Sequence, residues 1–524
     1  MIAAGSSTRV VIMSVPYTDP LPMVAPVLLS ACLTQAGVSA QGIDFSVDFL
    51  DHFVGKCYWP EIKNLLALGI SPSTTIPRRA IIDIIKFIKY KLMFIKSTFN
   101  PEYIGLSIFT NESINFSYIL IPYIRRYMPG VKIMLGGRGV ELICGIENRE
   151  HYKKYWDHGM ADVIVVGDAE SAIVDAINHN ATGIYFAKPQ TKEDIENIPI
   201  PNWDNYNFDL YKKFDDYVIV DTRQDQIADE NPRYVIVTAS KGCVRNCTFC
   251  DVASFWPKYI YRDGDKVANE IITNYKKTGI QNFRFSDNLI NGSISHYRKM
   301  NLRIAEEIPN TIQYKGYAIF RSKSQMPAED FELAKRAGCA GWIVGVESGS
   351  ERIRYDMKKK FSNDDMDHGI VNLHKNGISQ SHLLIVGYPT ETDWDFEETE
   401  NYLRRYAHLN SNGMIRIGVT PTFTLLHNSP LIQDSKYIQD YGLNFELSDK
   451  LSRFFWTTTA NPGNTFDLRY NRWKRFVQLA FDDLKYVNHN GNVMQKKWYD
   501  ELENLKKIYD EKKSKKVYPV FPIN

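Results

Sequence analysis

"KGCVRNCTFC" (241–250) places three of the chain's seven cysteines within eight residues, spaced C-x3-C-x2-C. Thiolates are soft ligands that suit zinc or iron–sulfur clusters. A structural zinc site uses four ligands, usually in paired C-x2-C sets, and no second pair exists here. A histidine or the adjacent Asp251 could complete such a site. Three thiolates also suit a four-iron, four-sulfur cubane whose remaining iron is open to a small molecule. The other cysteines, Cys32, Cys57, Cys144 and Cys339, are scattered. That is no disulfide framework, and it fits a reducing, cytoplasmic setting.

The chain has 524 residues, enough for two or three domains. With 44% hydrophobic and 24% charged residues its composition is ordinary for a globular protein. The net charge of +2 gives no global field toward nucleic acid or an acidic partner. The opening "MIAAGSSTRVVIMSVPY" lacks the pattern of a secretory signal, and "VVIMSVP" reads as a first buried strand. No apolar run reaches the roughly 18 residues of a membrane span.

Short apolar runs alternate with amphipathic stretches over the first part of the chain. Strands are expected at 9–16, 42–45, 103–110, 132–139, 162–168 and 183–187, and helices near 23–36, 113–128 and 169–178. This predicts an α/β, Rossmann-like, doubly wound domain over 1–195, with its ligand crevice at the carboxyl ends of the strands. Residues 46–100 form a helical insertion. Within it "RRAIIDIIKFIKYKLMFIKS" (78–97) is apolar with a basic face. It reads either as a membrane-surface or nucleic-acid contact or, more simply, as a helix packed on its own domain with lysines in solvent. Residues 196–232, rich in Pro, Asn and Asp, read as a linker. A second alternation follows over 233–425, with strands at 234–240, 282–288, 312–320, 341–348, 381–388 and 414–423. Six strands with helices between them predict a partial (β/α)6 barrel with its chemistry at the strands' carboxyl ends. Residues 426–524 form a mainly helical C-terminal region, with helices over 472–487 and 495–513.

The cysteine run, its place after a strand and the barrel-like alternation together resemble the radical S-adenosylmethionine (SAM) superfamily. Further segments follow in the family's order. Phe249 matches the aromatic position before the third cysteine. "RFSDN" (284–288) lies where the second strand delivers polar groups to the SAM amino group, with Ser286 and Asp287 in place of the more usual Gly-Gly-Glu. "AIFRSKS" (318–324) resembles the third-strand end, where Arg321 would reach the SAM carboxylate. "GVESGSERI" (345–353) resembles the fourth-strand segment, with Glu347 and Ser348 near the ribose. "LLIVGYPTET" (383–392), containing Gly387, is similar to the stretch that supports the adenine. Taken singly, each has a plainer reading as a solvated acid, a surface ion pair or a turn.

The first domain resembles the cobalamin-binding domain attached to one branch of this superfamily. Ser107-Ile108-Phe109 is similar to that domain's S-x-L, and 26 residues (110–135) separate it from Gly136-Gly137. A small hydroxyl residue and glycines at strand ends let a nucleotide tail lie against the backbone. "VVGDAES" (165–171) resembles the branch's V-G-E-G-E. The cobalt-ligating D-x-H-x-x-G is absent: the loop after the first strand reads "YTDPLPM" (17–23), and "DHFVG" (51–55) lacks the spacing.

The resemblance implies a 4Fe-4S cluster held by Cys243, Cys247 and Cys250, SAM on the open iron, and cobalamin. The implied reaction is reductive cleavage of SAM to a 5′-deoxyadenosyl radical, used for cobalamin-dependent methylation of an unactivated carbon. A second SAM would remethylate the cobalt. It also implies a one-electron donor such as flavodoxin or ferredoxin, and a small-molecule or peptide substrate. Radical rearrangement, cyclisation or oxidation without cobalamin are alternatives, as is a non-catalytic iron–sulfur or zinc module. Methylthiolation is disfavoured, because Cys32, Cys57 and Cys144 do not resemble the extra cluster motif of methylthiotransferases. No residue stands out as a catalytic acid or base.

Overall fold

The computed structural model describes residues 9–18, 21–70, 75–141, 151–214, 233–410, 413–420, 422–446, 451–489 and 491–514. Cys144 and part of the expected linker (215–232) lie outside the described residues. The chain forms two compact units. One is Met1–Val218 with Glu230–Val237 and Ile260–Arg284; the other is Ile219–Asp229 with Thr238–Tyr259 and Phe285–Asn524.

In the first unit, β1 (Arg9–Ser14), β2 (Ser39–Ile43), β3 (Tyr103–Ser107), β4 (Lys132–Gly136), β5 (Val163–Val166) and β6 (Gly183–Phe186) form one sheet. Its order is β2-β1-β3-β4-β5-β6 and its pairs are parallel. Apolar runs such as "YIGLS" are buried along their whole length, as strands covered on both faces must be. The order reverses at β1, so the crevice beside the carboxyl ends of β1 and β3 is the switch point where open α/β sheets take ligands. Register sets Ser14 opposite Ser107 and Ser107 opposite Gly136 at that edge.

The helical insertion consists of Phe45–Phe53, Trp59–Leu68 and Arg78–Phe99. Their apolar stripes share one core with the helix Asn111–Tyr127. Phe49 lies at its centre, with ring centroids 4.6 Å from Phe53, 5.7 Å from Phe87 and 4.9 Å from Phe116. Asp44 caps the first of these helices by accepting from the Val47 amide. The Ser14 hydroxyl donates to the same oxygen at 2.8 Å, and the Tyr211 hydroxyl to the other. Tyr211 belongs to the described part of the expected linker. That part carries the short helix Phe208–Lys212 and buries Trp203, Tyr206 and Phe214.

The next strands are β7 (Val235–Val237), β8 (Ser240–Lys241), β9 (Ile260–Tyr261), β10 (Asn282–Phe285), β11 (Gln313–Ala318), β12 (Cys339–Glu347), β13 (Ser379–Leu384) and β14 (Ile415–Val419). Helices separate them from β9 onward, among them Gly264–Thr278, Ile294–Glu307, Ala328–Arg336, Asn363–Lys375 and Asp393–Tyr406. All six strands of the expected barrel are present. The short strands β15 (Leu443–Asn444) and β16 (Thr457–Thr458) pair antiparallel, and β17 (Val487–Asn488) follows. The main sheet has the order β17-β14-β13-β12-β11-β10-β7, with β11 to β14 and β17 in parallel. The seventh strand, β17, differs from expectation. The helix predicted over 472–487 ends at Val477 and loosens into a π-helical turn at Gln478–Asp483. Lys485 then adopts φ +56°, which turns the chain alongside β14.

Burial raises the Asp44 carboxyl from its ordinary 3.8 to about 7, against hydrogen bonds from Ser14 and Val47 that lower it. The folded state thus keeps a proton that the unfolded chain releases. Stability from this group is complete below pH about 4 and is lost as pH rises through about 7. Asp44→Asn is expected to flatten that slope. Thermal unfolding midpoints of wild type and variant across the window check it.

Candidate active site

The three cysteines lie on one loop after β8, and the loop is pinned at its centre. Gly242 opens it with φ +78°, where a Cβ would stand 2.6 Å from the Lys258 carbonyl oxygen. Thr248 is fully buried. Its amide donates to the Met357 carbonyl at 3.2 Å, and its carbonyl accepts from the Leu431 amide at 2.8 Å. Its hydroxyl shares a 2.7 Å hydrogen bond with the Tyr388 hydroxyl. Phe249 packs against the cluster of Ile353, Met357, Tyr388 and Phe423. Cys247 is buried, whereas Cys243 and Cys250 are half-buried. The Arg245 amide donates to the Cys243 sulfur at 3.4 Å, the kind of contact that tunes a cluster's potential.

The loop's entry is tied to the end of β10. The buried Asp287 carboxylate accepts from the Ala239 amide at 3.0 Å and from the Ser240 hydroxyl. Ser286 shares a 2.8 Å hydrogen bond with Thr238. Sequence reading assigned both residues to the SAM amino group; their side chains hold residues 238–240.

Arg321, beyond the end of β11, donates through Nη2 to the carbonyls of Asn291 and Gly292 at 2.9 and 2.6 Å. Its buried Nε has no partner, and neither has that of Arg245. Burial and then the nearby Arg245 lower the Arg321 pKa, while Tyr259 and Cys243 oppose them. Two like charges with unused donors beside Cys243 fit an anion, such as a carboxylate.

Glu347 ends β12 at φ +66° and forms a 2.8 Å ion pair with the buried Lys359. The neighbouring Gly345 leaves room for the pair, since a Cβ there would stand 2.1 Å from Glu347 Oε1 and 2.7 Å from Lys359 Nζ and displace both side-chain ends. Ser348 is fully buried, with its hydroxyl on Thr399 and the Ser350 amide. Arg354 donates to the carbonyls of Ser348 and Gly349 and fixes this turn. Gly387 has φ +89°, and its amide donates to Glu391 at 2.9 Å. The Arg469 side chain fills the space above it, so a Cβ would stand 2.4 Å from Cγ.

Burial pushes the Cys247 thiol up to about 12 and the Cys250 thiol up to about 11, with Lys359 working against the rise in both. Burial also opposes the charge of Lys359, but Glu347 and the thiols outweigh it and raise its pKa. Buried thiols of this kind become good ligands when a metal takes the place of the proton. Among the described residues no three His, Cys, Asp or Glu side chains converge on the position of one ion. In a cubane each thiolate binds a different iron, so the sulfurs stand wider apart than ligands of a single ion. The donor set of three thiols with Arg245, Arg321 and Lys359 around them fits an anionic cluster and a carboxylate ligand. Thr248, Arg245 and Lys359 escaped the sequence reading. Lys359 sits in "MKKKF" (357–361), which looks like any solvated charge run.

In the first unit, Ser107 and Gly136 end β3 and β4 side by side at the carboxyl edge. Gly137 has φ +100°, and its missing Cβ would lie 2.4 Å from the Ile108 carbonyl oxygen. The chain's own backbone therefore accounts for Gly137. At Gly136 a Cβ would meet only ordinary contacts, the nearest at 3.7 Å.

Residues 237–403 match the Radical SAM superfamily. A proposed methylthiotransferase of Methanocaldococcus jannaschii is 28% identical over 46% of this chain and 52% of its own length. Cytidylyl-2-hydroxyethylphosphonate methyltransferase of Streptomyces wedmorensis is 22% identical over 63% of this chain and 64% of its own. Anaerobic magnesium-protoporphyrin IX monomethyl ester cyclase of Synechocystis is 24% identical over 50% and 51%. The chain thus spans about half to two thirds of the length of these curated relatives. Among solved structures, the methyltransferase TsrM from Kitasatospora setae, with cobalamin and a [4Fe-4S] cluster bound, has TM-score 0.60 at 14% identity. That likeness covers 85% of this chain and 78% of TsrM. The cobalamin-dependent radical enzyme OxsB has TM-score 0.52 at 14% identity, over 91% of this chain and 62% of OxsB. At this identity both likenesses establish the fold.

Asp287→Ala leaves the buried Ala239 amide without its acceptor and the Ser240 hydroxyl with the Leu289 carbonyl alone, at a cost of about 2 kcal/mol. The cysteine loop is expected to loosen, so that iron content after reconstitution falls at least threefold with all three cysteines present. Iron assay and visible absorbance measure this, and circular dichroism confirms that the variant is folded.

Proposed function

We propose, from the premise that this chain belongs to the radical SAM superfamily, that it is an enzyme that cleaves SAM reductively and methylates an unactivated carbon with the help of cobalamin. The observation that carries the first part is the pinned three-cysteine loop among Arg245, Arg321 and Lys359. A 4Fe-4S cluster with one open iron would supply, when bound, the electron for reductive cleavage of SAM to a 5′-deoxyadenosyl radical. This chain's residues hold and orient the reactants. Cys243, Cys247 and Cys250 would be the cluster ligands. Arg321, with Nε unused, would take the SAM carboxylate, and Arg245 adds a second cation at that point. The Glu347–Lys359 pair sets a fixed dipole beside the thiols. Glu347 would meet the ribose, and the stretch 383–392 with Gly387 would border the adenine. Ser348 would act through the backbone turn it stabilises, and Ser286 and Asp287 through the loop entry they hold.

Cobalamin is assigned on fold. The likeness to TsrM and OxsB, both described with cobalamin, extends over most of this chain. Ser107 and Gly136 at the switch-point edge would border its nucleotide tail. Cobalamin, when bound, supplies a transferable methyl group. A second reading is radical cyclisation or oxidation without cobalamin; the similarity to the magnesium-protoporphyrin ester cyclases supports its reaction type. Either reaction requires an external one-electron donor, such as flavodoxin or ferredoxin. No helix among the described residues is long and apolar enough to cross a membrane.

Protein purified without oxygen and reconstituted with iron, sulfide and hydroxocobalamin, then given SAM and a strong reductant, is expected to form 5′-deoxyadenosine. The triple variant Cys243→Ala, Cys247→Ala, Cys250→Ala is expected to form none. Cobalamin retained by the wild type after desalting supports the methylation reading, and its loss supports the second. Wild type that carries a full cluster and cleaves no SAM, with or without cell extract as a source of substrate, would refute the enzymatic reading.

A further inference from the structure

We infer that the helix Arg78–Phe99 binds the surface of an anionic lipid bilayer. This helix, about 33 Å long, turns Ala80, Ile84, Phe87, Ile88, Leu92 and Ile95 into the core of the first unit. A helix whose apolar demand is met inward should show solvated polar residues outward. This one shows apolar residues among cations. Ile82, Lys86, Lys89 and Met93 recur at i, i+4, i+7 and i+11 and form its outermost stripe. Ile82 is 44% exposed, Met93 45%, Phe94 51% and Tyr90 68%.

Charge along the outward face has one sign. Arg78, Arg79, Lys86, Lys89 and Lys96 are all exposed. Asp83 is the sole acid in this helix and is already engaged by Lys56, Tyr58 and His52. Lys91, the remaining cation, is paired with Asp48 at 2.6 Å. Arg79, Ile82 and Lys86 also line a cavity of about 440 Å³ with Lys56, Cys57, Tyr58 and Asp83. Lys56 is paired with Asp83 there, which leaves Arg79 and Lys86, next to an exposed isoleucine, to match an anionic headgroup with acyl chains beside it.

The occupant follows from the pattern. With the chain's net charge at only +2, the five outward cations are a local concentration, not part of a general excess. A protein interface disfavours lysine at its core and asks for fitted shape. Here lysines sit in the middle of the stripe and separate single apolar side chains. A fluid anionic surface accepts that arrangement, since each cation adds attraction and each apolar tip inserts on its own. No spanning is involved, and the site lies wholly within the first unit.

The test is co-sedimentation of the full chain, purified without oxygen with its cluster, on phosphatidylglycerol–phosphatidylcholine vesicles and on pure phosphatidylcholine vesicles. Binding is expected on the anionic vesicles alone, and it should weaken as salt is raised. Lys86→Glu/Lys89→Glu is expected to weaken it at least tenfold. Ile82→Ser/Met93→Ser should remove the portion that survives high salt. Lys436→Glu/Lys507→Glu, an equal charge reversal at exposed sites elsewhere, should bind as wild type does. All these sites are exposed, and circular dichroism verifies folding. Equal binding to both vesicle types, no binding to either, or equal losses in the two charge-reversed variants would overturn the inference. So would displacement from the vesicles by tRNA at equal phosphate concentration, which would point to nucleic acid.

Discussion

Thr248 fixes the cysteine loop from three directions, and the proposed chemistry depends on that. Its amide reaches Met357, its carbonyl Leu431 and its hydroxyl Tyr388. Three thiols in eight residues are only a local concentration of ligands. They become a site when the backbone between them is held, because cluster ligation tolerates little error in ligand position. Tyr388 is itself restrained: its hydroxyl bonds that of Tyr441, which donates to Asp356 at 2.5 Å. The loop is thus anchored to the end of the helix Glu351–Asp356, the loop after β13 and the C-terminal region together.

A second constraint is electrostatic. Burial disfavours charge on Cys247 and Cys250, and Lys359 favours it. Burial outweighs Lys359, and the thiols hold their protons. Arg245 and Arg321 stand near one another with unused donors, a costly arrangement unless an anion joins them. Both imbalances are relieved by the same event, the arrival of an anionic cluster and a carboxylate.

The first unit shows how one motif can have two causes. Gly136-Gly137 after β4 suits a nucleotide tail, yet Gly137 is already demanded by the Ile108 carbonyl. Only Gly136, beside Ser107, is left for the ligand reading. The helical insertion behaves similarly. Its inward stripe completes the core, which is the plainer reading of its sequence. Its outward face carries apolar residues that this packing does not use.

By itself the sequence determined the strand–helix alternation of both units, because apolar runs and amphipathic periods are local properties. All twelve expected strands are present. It also determined the three thiols, since their spacing is unusual enough to exclude most other chemistries. It missed β17, because a π-helical turn and one positive φ at Lys485 leave no periodic signal. It could not distinguish Lys359 from its neighbours Lys358 and Lys360, as only burial against Glu347 and the cysteines sets it apart. Nor could it foresee that Asp287 would grip Ala239 and Ser240 across 47 or more residues of chain. Those assignments were left to the tertiary structure, because hydrogen bonds and burial are set by neighbours in space, which linear spacing does not encode.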